Sequence, residues 1–141
     1  CTFDGYFCDF DRNYALQKAD DDVRNAYRVV YQATDTGLEA AVPGNTAADV
    51  FRAMNRVLET NGAKGGQVGR MGHGLGMQLT EWPSNAVFDN TVLENGMVLT
   101  LEPGMQFGEN KIMVHEENLV IRKEGPQLLT RRAPEELPVI S

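Results

Sequence analysis

The hydrophobic positions of this 141-residue chain change period twice. In the first dozen residues aromatic and polar side chains alternate. Tyr6, Cys8 and Phe10 fall on one side, and Phe7, Asp9 and Asp11 on the other. That is a strand rhythm, and Asp4-Gly5 before it is a favoured two-residue turn, so residues 2 to 12 read as a hairpin with a very short first strand. From about 20 to 38 the period lengthens to that of a helix. Val23, Tyr27, Val30, Tyr31, Thr34 and Leu38 make one stripe. Asp20 to Asp22 supply an N-cap and negative charge at its positive end. After the Pro43-Gly44 turn a second helix is predicted over 46 to 61. Its apolar face is Ala47, Val50, Phe51, Met54, Val57 and Leu58. Thr46 with Asp49 forms a capping-box variant at its start, and Asn61-Gly62 closes it.

Beyond Ala63 the helical period disappears and glycine becomes dense. A short strand is predicted near Gln67 to Arg70, then a turn around His73. Residues 80 to 91 read as a loop containing Pro83. Met97 to Leu101 reads as a strand that stops at Pro103-Gly104. Lys111 to Arg122 and Gln127 to Thr130 read as two more, with Gly125-Pro126 between them. The fold class is α+β, with the helices on the outer face of a curved antiparallel sheet.

Composition changes this picture little. With 42% hydrophobic and 23% charged residues the chain is ordinary for a globular protein. The net charge of −7 argues against non-specific nucleic-acid binding, which needs cations at the phosphates. No apolar run approaches the ~20 residues of a membrane span. The two cysteines, Cys1 and Cys8, read as reduced thiols of a cytoplasmic protein rather than a disulfide framework. An abrupt start at Cys1, without Met, reads as a processed or partial chain.

Candidate chemistry centres on Arg70 to Pro83, where His73 sits among Gly72, Gly74 and Gly76. Downstream lie Glu102, in Leu-Glu-Pro-Gly, and Glu116, in His-Glu-Glu-Asn. With Asp9 these give one imidazole and three carboxylates on separate elements. That set suits a divalent ion such as Mn, Fe, Co or Zn and excludes a thiolate zinc finger. Bridging carboxylates would fit a two-metal hydrolase. Taken alone, the pattern equally fits a structural imidazole in a glycine turn and solvated glutamates, with Glu102-Pro103-Gly104 only ending a strand.

Four blocks in order narrow the choice. Gly5-Tyr6-Phe7-Cys8-Asp9-Phe10-Asp11-Arg12, Gly72-His73-Gly74-Leu75-Gly76, Asn95 to Gly104, and Glu116 to Ile121 resemble the creatinase / aminopeptidase P / prolidase / methionine aminopeptidase superfamily. These are the pita-bread metalloenzymes. The resemblance implies a pita-bread fold incomplete at its N-terminus, with residues 1–141 as the C-terminal portion of the catalytic domain. It implies Asp9, His73, Glu102 and Glu116 as metal ligands, with a fifth ligand, an Asp, before Cys1. Two divalent ions are implied, manganese foremost, with iron, cobalt or zinc as substitutes. Glu102 would also be the catalytic base, and metal-activated water would attack the amide bond of an Xaa-Pro peptide.

The chain departs from the pattern at three places. Thr80, within Thr80-Glu81-Trp82-Pro83, stands where the peptidases carry a second His. Gly69 and Val114 replace a further His and an Arg. Thr80 hydrogen-bonds but does not titrate near neutrality. Thr80 and Trp82 are therefore candidate substrate-binding residues, and the Trp82 ring offers a face for a cationic group. His115, next to Glu116, is expected to point away from the ligand side, because adjacent strand residues face opposite ways. The substrate is then a peptide or a small zwitterion. Alternatives within the fold are a dimethylsulfoniopropionate lyase-like or creatinase-like enzyme, or an inactive member acting in binding. A homodimer, and dependence on the missing N-terminal part of its own chain, follow from the resemblance alone.

Overall fold

A computed structural model describes residues 1–63 and 69–141. The chain opens with the expected hairpin, β1 (Thr2–Phe3) against β2 (Tyr6–Phe7), turning at Asp4-Gly5. Cys1 and Cys8, beside the ends of this hairpin, are joined as a disulfide with Cα atoms 5.4 Å apart. This corrects the reading of both as reduced thiols. The antiparallel register pairs Thr2 with Phe7, which brings the flanking positions 1 and 8 together. The thiols therefore no longer argue for a cytoplasmic location.

After β3 (Ala15–Leu16) come the two helices, α1 (Asp21–Ala40) and α2 (Ala47–Thr60). The capping box is present in full. Thr46 Oγ1 accepts from the Asp49 N–H, and the Asp49 carboxylate accepts from the Thr46 N–H. Asp20 is the N-cap of α1 but makes no side-chain cap bond. In the acidic run it is Asp22 whose carboxylate accepts from the Val23 N–H (2.9 Å) and from Lys111 Nζ (2.8 Å), and the run places negative charge at the helix start. The buried stripe of α1 is Ala26, Tyr27, Val29, Val30, Ala33, Thr34 and Gly37, while Val23, Tyr31 and Leu38 lie at its margins. Small residues carry the contact. A Cβ on Gly37 would sit 2.8 Å from Met54 Sδ and 3.2 Å from Leu101 Cδ1, so glycine there lets α1 approach both α2 and the sheet.

The main sheet is antiparallel, in the order β10 (Gln127–Leu128), β9 (Glu117–Val120), β6 (Val98–Leu101), β4 (His73–Gly74), β5 (Glu81–Ser84). A separate hairpin pairs β7 (Gly104–Gly108) with β8 (Lys111–Val114), and β11 (Val139–Ile140) runs parallel to β3. α1 packs on α2, β6, β7 and β8, and the core forms around Tyr27, Val30, Met54, Leu99, Leu101 and Leu119. No helix is long and apolar enough to cross a membrane among the described residues.

Three expectations need correction. The predicted loop over 80 to 91 contains β5, with a cis Trp82-Pro83 bond. β5 is an edge strand, where a proline's missing N–H deprives no neighbour. Lys111 to Arg122 is two strands, β8 and β9, broken at His115-Glu116. The strand predicted over Met97 to Leu101 is β6, which ends before Pro103 as expected, and β7 starts at Gly104 in the separate hairpin. Of the strand predicted over Gln67 to Arg70, Gln67 and Val68 lie outside the described residues, and Gly69 and Arg70 form no strand.

Candidate metal centre

One end of the main sheet gathers the acidic residues. β6 lies between β4 and β9 and is antiparallel to both, so the start of β4, the end of β6 and the start of β9 share one end of the sheet. His73 opens β4, Glu102 follows β6, and Glu116 precedes β9. The Glu102 N–H donates to the Met71 carbonyl (3.0 Å), and the His115 N–H to the Pro103 carbonyl (3.2 Å), which ties the three chain segments together.

His73 is 2% exposed and closely held. Gly72 before it has φ +120°, and a Cβ there would collide with the Thr100 carbonyl, so only glycine fits. The His73 N–H donates to Thr100 Oγ1 (3.1 Å). Its Nδ1 lies 2.9 Å from the Gly74 carbonyl, which only accepts. In the neutral ring Nδ1 therefore carries the proton, and the Nε2 lone pair is directed away from the backbone. It meets Asp9 Oδ2 at 3.8 Å.

Asp9, His73 and Glu116 form a possible metal site, their ligand atoms all within 4.8 Å of one another. Glu102 is not part of that group but is close enough to interact by charge with His73, Asp9 and Glu116. Burial pushes the Glu116 carboxyl up to about 8, and the carboxylates of Glu102, Asp9 and Asp11 add to the shift against only Arg70. Burial raises Glu102 as well, opposed by His73 and Arg70. Glu116 Oε1 is buried with no hydrogen-bond partner. A buried carboxylate oxygen without a donor costs free energy, and a cation removes that cost. The residues thus fit a divalent ion held by oxygen and imidazole donors. Two of the other positions singled out, Thr80 and the Trp82 ring, are exposed, and Trp82 Nε1 donates to Thr91 Oγ1 (2.8 Å).

His115 turns the other way. It is fully buried beneath α1, with Nδ1 2.9 Å from Thr34 Oγ1. Sequence reasoning missed several residues that shape the centre. Asp11 and Arg70 act by charge, and Asn118 binds the backbone of Asp9 on both its N–H and its carbonyl. Only Asp11 left a signal, its alternation with Asp9.

Comparison with known proteins agrees with this geometry. The model of metallopeptidase family M24 matches residues 1–124. The Xaa-Pro dipeptidase of Pyrococcus furiosus is 30% identical over 129 residues, covering 92% of this chain and 37% of the relative. That of Lactobacillus delbrueckii subsp. lactis is 31% identical over 132 residues, covering 94% and 36%. An X-Pro aminopeptidase structure from Thermotoga maritima superposes with a TM-score of 0.90 at 25% identity, over 99% of this chain and 39% of that one. The chain therefore spans little more than a third of these relatives' length and is a fragment of the pita-bread fold. It belongs to metallopeptidase family M24.

Proposed function

We propose that the protein carrying this chain is a metal-dependent peptidase acting on short Xaa-Pro peptides. The carrying observation is Glu116 Oε1, buried and unpartnered beside His73 and Asp9. In this reading Asp9, His73, Glu102 and Glu116 would hold two divalent ions, manganese foremost. The ions would polarise the amide carbonyl and lower the pKa of the attacking water. Asp9 and Glu116 orient the reacting groups from opposite segments of the chain. Glu102 takes a proton on a carboxylate oxygen from the attacking water and returns it to the leaving nitrogen. His73, with Nδ1–H fixed on the Gly74 carbonyl, keeps Nε2 aimed into the site.

Thr80 and Val114, where the family resemblance expects an imidazole and a guanidinium, favour a second reading. In it the enzyme acts on a small zwitterion, whose carboxylate would bind at the divalent ion that Asp9, His73 and Glu116 would hold. The test is made on full-length protein reconstituted with Mn2+. Release of proline from Xaa-Pro dipeptides is compared with turnover of dimethylsulfoniopropionate. Proline release supports the peptidase, and turnover of the zwitterion alone replaces it with the second reading. Protein that retains no divalent ion after reconstitution ends both.

A further inference from the structure

The segment from Cys8 to Tyr14 is not a strand, yet it runs alongside the start of β9 as a strand would. Its rungs are side chains. The Asp9 N–H donates to Asn118 Oδ1 (3.1 Å), and Asn118 Nδ2 donates back to the Asp9 carbonyl. Arg12 Nη1 donates to the Glu116 carbonyl (3.1 Å). Asn13 Nδ2 donates to the Val114 carbonyl (2.8 Å). Along one segment the positions rise, 9, 12, 13; along the other they fall, 118, 116, 114. This is an antiparallel register in which side chains replace one partner's peptide groups.

The difference matters for spacing. Directly bonded strands lie about 4.8 Å apart. A side chain interposed as a rung holds two backbones farther apart and leaves room between the carboxylates they carry. Asn118 is suited to the task because a carboxamide has one acceptor and one donor face, which match the N–H and C=O of a single peptide segment. It is 2% exposed. Its own backbone is already engaged, with its N–H on Thr130 Oγ1 (3.2 Å) and its carbonyl accepting from the Leu129 N–H (2.8 Å). The buried amide side chain is left wholly to Asp9.

We infer that Asn118 is a positioning residue, which, with Arg12 and Asn13, sets the distance between Asp9 and Glu116 and so the affinity for the divalent ion. The inference rests on the metal reading above. It is tested on full-length protein by calorimetric Mn2+ titration, the Mn2+ electron paramagnetic resonance signal, and thermal unfolding of the chelator-treated protein. Asn118→Ala is expected to weaken Mn2+ binding about 10- to 100-fold, the range for residues that orient ligands. Asn118→Gln keeps both amide groups on a longer arm. It should unfold near the wild-type temperature without metal and still bind Mn2+ about 10-fold more weakly. A merely structural Asn118 would instead make affinity follow stability. Wild-type affinity in either variant overturns the inference, and so does an affinity loss that appears only when the metal-free midpoint falls. If Asn118→Ala does not fold, Asn118→Gln decides. Wild-type protein that gives no Mn2+ heat overturns the metal reading and this inference with it, whereas a normal wild-type titration with unaffected variants overturns this inference alone.

Discussion

Glu116 and Glu117 are neighbours in sequence, both buried, and they meet opposite surroundings. Glu117 accepts from Arg12 Nη2 (2.9 Å), Arg132 Nη1 (3.3 Å), the Ala133 N–H (2.9 Å) and Thr130 Oγ1. Burial works to raise its pKa, but hydrogen bonds from Thr130, Ala133 and Arg12 outweigh that and hold it below the usual range. Glu116 has carboxylates for company and one oxygen with no partner. The histidines repeat the contrast. Thr34 donates its only proton to the Val30 carbonyl (2.9 Å), so His115 Nδ1–H donates to Thr34, and Nε2 accepts from Arg132 Nη1 (3.2 Å). Burial, then the Arg132 charge, lowers His115 to about 4. His73 has the same tautomer, but its Nε2 lone pair faces Asp9. One face of the strand start has its positive charge built in. The other lacks it, and that deficit separates a structural ion network from a possible metal site.

Removing Glu117 should break the comparison most severely. Glu117→Ala leaves the Arg12 and Arg132 guanidinium groups facing a buried void, and losing one partner of a buried pair costs about 3–5 kcal/mol. Urea unfolding of the metal-free protein measures it. A loss under about 1 kcal/mol would mean that the network behaves as a solvated surface pair and that the two faces do not differ in kind.

Glu116→Gln should act in the opposite sense. Mn2+ affinity is expected to fall by at least about 100-fold, beyond the usual loss for outer residues. The metal-free protein should gain stability at alkaline pH. A carboxyl raised from 4.5 to about 8 on folding favours the fold fully below about pH 4.5, and that contribution is lost as pH rises through 8. Glu117, held low, contributes above the usual carboxylate range and is lost as pH falls through its depressed value. Melting temperatures at pH 5.5 and 8.5, with chelator and with Mn2+, separate the two. Wild type without metal should weaken toward pH 8.5, and Mn2+ or Glu116→Gln should each remove that slope. A slope that survives the substitution would place the charge deficit elsewhere.

How much of this contrast was legible in the sequence depends on its range along the chain. The helices and the capping box at Thr46 were readable because their determinants lie within a turn of one another. His73, Asp9 and Glu116 stood out as chemistry in distinctive blocks. β5 was hidden because Pro83 reads as a breaker, and only its edge position makes it tolerable. The partition between Glu116 and Glu117 was hidden more deeply. It depends on Arg12 reaching Glu117 across 105 residues, and no local period records such a contact. Cys1 and Cys8 were close enough to judge, but composition outweighed the hairpin register that brings them together.

The smallest expected effect sharpens the comparison most. Thr34→Val removes the hydroxyl that accepts from His115 Nδ1 while preserving the shape of the side chain. The ring is fully buried, so its N–H loses a partner with no water to replace it. An unsatisfied buried donor costs about 1–2 kcal/mol after some relaxation. Arg132 restrains the other side of the ring, bonded to Asp35 Oδ1 (2.6 Å) and stacked 3.9 Å from the Tyr31 centroid. The imidazole therefore has little room to find another acceptor. Urea unfolding should show the loss, while the Mn2+ titration should match wild type, because His115 and Glu116 leave the chain in opposite directions. A change in Mn2+ affinity would mean that strain in the completed network reaches the incomplete one through the peptide between them, and the two faces would then have to be treated as one coupled site.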